Sequence, residues 1–312
     1  MATASRIAFV FPGQGSQRVG MGRELLARRP DLLARRFAAA EMASGLPLRR
    51  LALEGPLAEL TRTEAAQPAL FALSLALADE AIAAGVRPAF VAGHSLGEYV
   101  AAVVCGALSA DDGVRLVAER GRLMAGVQAR RPGAMAAVVG LPVHRVRRLC
   151  PPGGGVEVAN VNTPAQVVVS GDARAVDELE PRVLGAGGRL VRLTVGAAFH
   201  SPAMAPVRDR LDALTQTMHW ADTAVPLAAN ASGRLVSRGE DIRRALVDQV
   251  AAEVRWVACV RSLRAAGATA FLELGARPVV SGLIAAIDPA AILLTGTDTA
   301  MPAGEPRHAV AA

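Results

Sequence analysis

Gly93-His94-Ser95-Leu96-Gly97 stands between a short apolar run, Ala89 to Ala92, and a helix-like run from Glu98 to Leu108. A serine framed by glycines at a strand-to-helix turn is the arrangement that a nucleophile elbow requires. The glycines are demanded sterically, because side chains at those positions would collide with the strand or the helix. The turn lifts the hydroxyl clear of the sheet and sets it at a helix N-terminus, whose unpaired N–H groups can hold a developing oxyanion. A turn that merely reverses the chain would use the same glycines, so the chemistry depends on partners elsewhere. His94, next to the serine, points another way and is not the expected base.

Three other places supply the partners. His200, in Gly196-Ala197-Ala198-Phe199-His200-Ser201-Pro202, is a loop histidine where the chain passes from one texture to another. Clefts form at such junctions, and an imidazole there can take the proton of an elbow serine. The turn Pro12-Gly13-Gln14-Gly15-Ser16-Gln17 leaves a buried strand. Position 18 is arginine, so the turn is not the G-x-G-x-x-G of a dinucleotide fold, and a loop donating an N–H to an oxyanion fits it better. Arg120 lies on the same helical face as Val117 and Met124. A buried arginine needs an acidic partner, which is either an internal salt bridge or the carboxylate of a substrate held by the guanidinium fork.

The elements that must position these groups follow from periodicity and turn residues. Strands are expected at 6–11, 89–92, 225–230, 270–274 and 291–294. Helices are expected at 21–40, from Gln67-Pro68 to 84, and at 98–108, 111–128, 240–251, 260–266 and 278–286. Short helices and turns fill 46–60. After Arg130-Arg131-Pro132-Gly133 the order becomes β-α-β-β-α-β, with strands 134–139, 156–161, 166–170 and 189–195 and helices 142–150 and 173–184. That order is the ferredoxin-like unit. The chain therefore reads as an α/β protein. An α/β-hydrolase-like large subdomain, 1–131 and 198–296, carries an inserted ferredoxin-like small subdomain, 132–197. A Pro/Gly/Ala-rich tail, 297–312, is expected to be disordered.

Composition narrows the classes. Of 312 residues, 52% are apolar and 3% aromatic, so a large core is built mainly from Ala, Leu and Val. Net charge is +6 and every basic residue is arginine. The bias is either compositional or a basic surface for an acidic partner. Without lysine there is no Walker-type phosphate loop. The arginines are scattered and aromatics few, so nucleic acid is not the expected partner. No uninterrupted apolar run reaches membrane-span length, and the N-terminus runs directly into a strand without a leader-like segment. Cys105, Cys150 and Cys259 have no metal-like spacing and cannot all pair. A reduced, cytoplasmic, monomeric protein without a metal is expected.

Seven stretches in order resemble the malonyl-CoA:acyl-carrier-protein transacylase family, which includes acyltransferases of polyketide synthases. They are FVFPGQGSQRVGMG at 9–22, QPALF at 67–71, GHSLGEYVAA at 93–102, AERGRLM at 118–124, NVNTPAQVVVSG at 160–171, AFHSPAM at 198–204 and QVAAEVRW at 249–256. The resemblance implies Ser95 as nucleophile and His200 as base, with no acidic third member. It implies Arg120 as the grip on a malonyl carboxylate, Gln14 and Leu96 as oxyanion donors through their backbone N–H, and Gln249 as the residue whose carbonyl orients the histidine. Phe199 corresponds to a position that narrows the pocket against an α-methyl group. Malonyl-CoA and an acidic acyl carrier protein are the implied substrates, with no cofactor. Gly275-Ala276-Arg277-Pro278 departs from the Gly-Pro-Gly turn usual in that family. Two rival readings share the elbow: an acyl hydrolase that uses water, and a non-catalytic module that docks a carrier protein.

Overall fold

The computed structural model describes residues 6–295. Two sheets form the frame. The larger has the strands β1 (Ile7–Phe11), β2 (Phe90–Gly93), β7 (Leu227–Ala228), β8 (Leu235–Val236), β9 (Ala270–Glu273) and β10 (Ile292–Thr295), in the order β10-β9-β1-β2-β7-β8. All neighbours in it are parallel except β7 and β8. β1 is central, and four of its five residues are fully enclosed, as a strand covered on both faces must be. The smaller sheet holds β3 (Ala134–Val139), β4 (Val156–Thr163), β5 (Gln166–Gly171) and β6 (Arg189–Arg192), in the order β4-β5-β3-β6 with every pair antiparallel. With helices Val143–Leu149 and Ala173–Gly185 between its strands, this is the expected ferredoxin-like unit. Its helix-facing side has a separate core around Val138, Val146, Val169 and Val183. Met135, Ala137 and Val168, on its other side, join the core of the larger sheet.

The fold is α/β, an α/β-hydrolase-like sheet with a ferredoxin-like unit, as expected, but several element bounds differ. The single helix anticipated over 21–40 is two, Arg23–Arg28 and Pro30–Ser44. Pro30 forces Arg29 out of the helical region, to φ −139° and ψ 69°. The apolar helix starts at Thr63, not at Gln67, and carries Pro68 inside it through to Ala83. That helix is long and apolar enough to cross a membrane, yet 83% of its apolar window is packed inside the protein. The helix after Ser95 stops at Val104, where Cys105 and Gly106 turn the chain. Strand 225–230 shrinks to the two residues of β7, because only β8, two residues long, covers its outer edge. β6 ends at Arg192, three residues early. The tail beyond 296 lies outside the described residues.

Candidate active site

β2 ends at the elbow and helix Leu96–Val104 begins immediately after Ser95. A Cβ on Gly93 would sit 1.8 Å from the carbonyl carbon of Gly97, and one on Gly97 would sit 2.1 Å from the Phe11 oxygen. Both glycines are therefore obligatory. Ser95 adopts φ 53°, ψ −109°, a conformation a side-chain-bearing residue holds only when its surroundings enforce it. His200 is the other described non-glycine residue at positive φ, 57°.

The structure brings the predicted groups together. Ser95 Oγ lies 2.8 Å from His200 Nε2. His200 Nδ1 lies 2.9 Å from the main-chain oxygen of Gln249. A carbonyl only accepts, so Nδ1 carries the proton and Nε2 is left bare to accept from the serine. Burial, then the nearby charge of Arg120, push the imidazole down to about 3, with the Gln249 carbonyl partly opposing. The ring is a neutral base at any ordinary pH.

Arg120, only 1% exposed, donates from Nη2 to Ser95 Oγ at 3.2 Å and to Gln249 Oε1 at 3.1 Å, and from Nη1 to Gln67 Oε1 at 2.7 Å. Its guanidinium carbon also stands 5.0 Å from the Tyr99 ring centroid. It forms no ion pair among the described residues, so the internal salt bridge left open by the sequence is absent. Two neutral side-chain amides, of Gln67 and Gln249, hold the cation. Three of the five N–H donors of a guanidinium are engaged, and buried Nε has no partner.

The first loop abuts the elbow. A Cβ on Gly13 would meet the His94 oxygen at 2.7 Å and Ser95 Cβ at 3.7 Å. Gln14 is the next residue, and neither its N–H nor that of Leu96 is used in a hydrogen bond within the described chain. The Leu96 N–H opens its helix, where such groups have no intrahelical acceptor. The loop at 275–278 reaches back to the same place: Arg18 Nε donates to the Ala276 oxygen at 3.0 Å, and Arg277 donates to the Gly15 oxygen. Phe199 is buried beside His200, 6% exposed. His94 is not a base: its Nε2 lies 2.8 Å from Asn162 Oδ1, its ring packs against Trp256, and burial pulls its pKa below the ordinary value.

Sequence reasoning missed four members of the site. Glu98, fully buried, accepts from Gln249 Nε2 at 2.8 Å and from the Asn230 N–H at 3.0 Å. Asn230 takes the Ser95 N–H on Oδ1 at 2.8 Å. Gln67 meets Arg120, and Asn162 meets His94. Glu98 had a signal, being the lone acid on an otherwise apolar helix. Asn230 had a weaker one, standing just past a strand in the larger sheet.

A largely parallel α/β sheet with a strained serine at a strand–helix turn, bonded to a histidine, defines the class of serine acyltransferases and hydrolases. Within that class the chain belongs to the acyl transferase domain family, whose pattern it matches over residues 8–290. It is 38% identical over 286 residues to the malonyl CoA-acyl carrier protein transacylase of Bacillus subtilis, covering 90% of each chain. It is 40% identical over 288 residues to polyketide biosynthesis protein ThaF of Burkholderia thailandensis, covering 90% of this chain and 24% of that one. Among solved structures it is similar to the malonyl-CoA:acyl carrier protein transacylase of Xanthomonas oryzae, with a TM-score of 0.89, 39% identity and coverage of 94% and 95% of the two chains. A malonyl-transacylase solved in complex with its type II polyketide synthase acyl-carrier protein gives the same TM-score, 0.89, at 34% identity, covering 93% of this chain and 96% of that one.

Proposed function

We propose that the protein transfers a malonyl group from malonyl-CoA to the phosphopantetheine thiol of an acyl carrier protein through an ester on Ser95, supplying fatty-acid or polyketide chain building in the cytoplasm. The observation that carries this reading is one oxygen, Ser95 Oγ, lying 2.8 Å from an oriented neutral histidine and 3.2 Å from an arginine without a carboxylate partner. The relatives named above support the choice of acyl group and acceptor.

In the first half-reaction His200 Nε2 takes the hydroxyl proton as Oγ bonds to the thioester carbonyl carbon. The Leu96 and Gln14 N–H groups receive the oxyanion, a contribution of about 3 kcal/mol per donor in comparable sites. The C–S bond breaks and the CoA sulfur leaves with the proton from Nε2. In the second half-reaction the carrier thiol gives its proton to Nε2 and its sulfur attacks the ester. The tetrahedral intermediate collapses, and Ser95 Oγ leaves with that proton. Arg120 pairs with the free carboxylate of the malonyl group throughout, using its uncommitted donors. The Gln249 carbonyl holds the imidazole in one tautomer, the role an acid fills in other triads. This chemistry calls for no redox group or metal. The net charge of +6 suits an acidic carrier.

Brief exposure to malonyl-CoA followed by mass spectrometry tests the reading. A malonyl adduct on the Ser95 peptide is expected, discharged only when carrier protein is added. Absence of the adduct would favour a carrier-docking module. CoA release at one rate with and without carrier would favour a hydrolase.

A further inference from the structure

Glu98 takes no part in the steps above, yet three of the groups that do depend on it. Ser95 holds its unfavourable backbone conformation with a side-chain amide on each side. Its N–H goes to Asn230 Oδ1 at 2.8 Å, and its carbonyl accepts from Gln249 Nε2 at 2.6 Å. Each of those residues is anchored on a different oxygen of one carboxylate. The Asn230 N–H donates to Glu98 Oε1 at 3.0 Å, and Gln249 Nε2 donates to Glu98 Oε2 at 2.8 Å. Asn230 Nδ2 also donates to the Gly93 oxygen, at 2.8 Å, closing the support around the elbow.

A carboxylate is acceptor-only, and that sets the direction of the network. Gln249 must turn its NH2 toward Glu98 and Ser95, which leaves Oε1 toward Arg120 Nη2. The reversed amide would set oxygen against carboxylate and NH2 against guanidinium. The same residue's main-chain oxygen holds His200. Glu98 is fully buried and has no ion pair among the described residues; burial pushes its carboxyl pKa up, while the Asn230 N–H, the Gln249 amide and the charge of Arg120 favour the ionised form. An acid kept there at such a cost in solvation calls for a reason.

We propose that Glu98 is a positioning residue for acyl transfer, one carboxylate that fixes both backbone sides of the Ser95 turn through Asn230 and Gln249 and sets the amide polarity that faces Arg120. This rests on the reading of Ser95 as nucleophile. The Glu98→Gln side chain has the same shape but offers one oxygen and one NH2. It accepts from Asn230 or from Gln249, not both, and leaves donor against donor on the other side.

The test uses a fluorophosphonate that labels active serines and carries no carboxylate, so its reaction does not draw on the Arg120 pairing. Wild-type Ser95 is labelled. In Glu98→Gln, labelling and the kcat for malonyl transfer fall together by about ten- to a hundredfold, the loss expected when a buried donor is left unpaired. The KM for malonyl-CoA stays within about threefold, because Arg120 keeps its bond to Gln67 and its uncommitted donors. Asn230→Ala slows labelling as well. The double variant loses less than the product of the single losses, as members of one network do. Labelling and kcat in Glu98→Gln within about twofold of wild type, or strictly multiplicative losses in the double variant, would overturn the proposal. If Glu98→Gln does not fold, unchanged labelling of Asn230→Ala overturns it instead. An unlabelled wild-type Ser95 would refute the nucleophile reading itself, and this one with it.

Discussion

Replacing Arg120 with alanine separates substrate recognition from serine activation. Arg120 touches both: Nη2 is 3.2 Å from Ser95 Oγ, and buried Nε has no hydrogen-bond partner among the described residues. If the guanidinium pairs with the malonyl carboxylate in this enclosed place, truncating it leaves a buried anion without its partner. Such losses run to about 3–5 kcal/mol. At about 1.4 kcal/mol per decade, kcat/KM for malonyl-CoA falls by roughly two to three and a half powers of ten. Acetyl-CoA presents no carboxylate, so alanine costs it nothing of this kind and removes a desolvated cation from beside the methyl group. Its kcat/KM holds steady or rises, and the malonyl-to-acetyl ratio collapses. Arg120→Lys keeps a charge without the planar fork and is expected between the two for malonyl-CoA. The assay is the rate of carrier acylation from each thioester, with melting temperature to show that Gln67 and Gln249 tolerate the lost donor. Equal falls for malonyl and acetyl transfer would refute the reasoning and assign Arg120 to orienting Ser95 alone.

Three further outcomes follow from the same site. His200, held near 3 by burial and by Arg120, is neutral between pH 5 and 8, so the rate of Ser95 acylation shows no histidine limb in that range. Its unfolded value is about 6.5, so the unfolded chain binds more protons between the two values; its share of stability is complete above pH 6.5 and drains away as pH falls toward 3. Melting temperatures of wild type and His200→Gln from pH 7 to 4 check this, and parallel curves would contradict it. Phe199→Ser opens room beside the histidine and raises the ratio of methylmalonyl to malonyl transfer by about 10- to 100-fold, the scale of one methyl in a steric pocket. An unchanged ratio would remove Phe199 from the pocket wall.

Much of this site is legible because single residues have strict steric duties. Gly93 and Gly97 admit no Cβ, so the elbow announces itself in the chain. The β-α-β-β-α-β unit shows through its alternating short strands and turn glycines. Arg120 shows as a charge on an apolar helical face, although the face alone does not say whether an acid waits inside. The hidden parts are those whose meaning lies in a distant partner. Asn230 and Glu98 are 132 positions apart and Gln67 and Arg120 are 53 apart, and no periodicity marks either pairing. The break at Arg29 was legible in principle, since Pro30 restricts the residue before it. The start at Thr63 was not, because proline is ordinarily a first-turn residue and Pro68 stands in the second turn of this helix.

The stretch 249–256 behaves as a single rein. At one end the Gln249 carbonyl steadies the imidazole. Midway, Val254 pairs with β4, its N–H to the Ala159 oxygen at 2.8 Å and its oxygen to the Val161 N–H at 2.9 Å, while Glu253 holds Arg147 of the small unit at 2.6 Å. Arg255 then bonds the Asn230 oxygen, and Trp256 lies against His94. A swing of the ferredoxin-like unit would thus tug on the same eight residues that aim the base, and is expected to detune the proton transfer between Ser95 and His200.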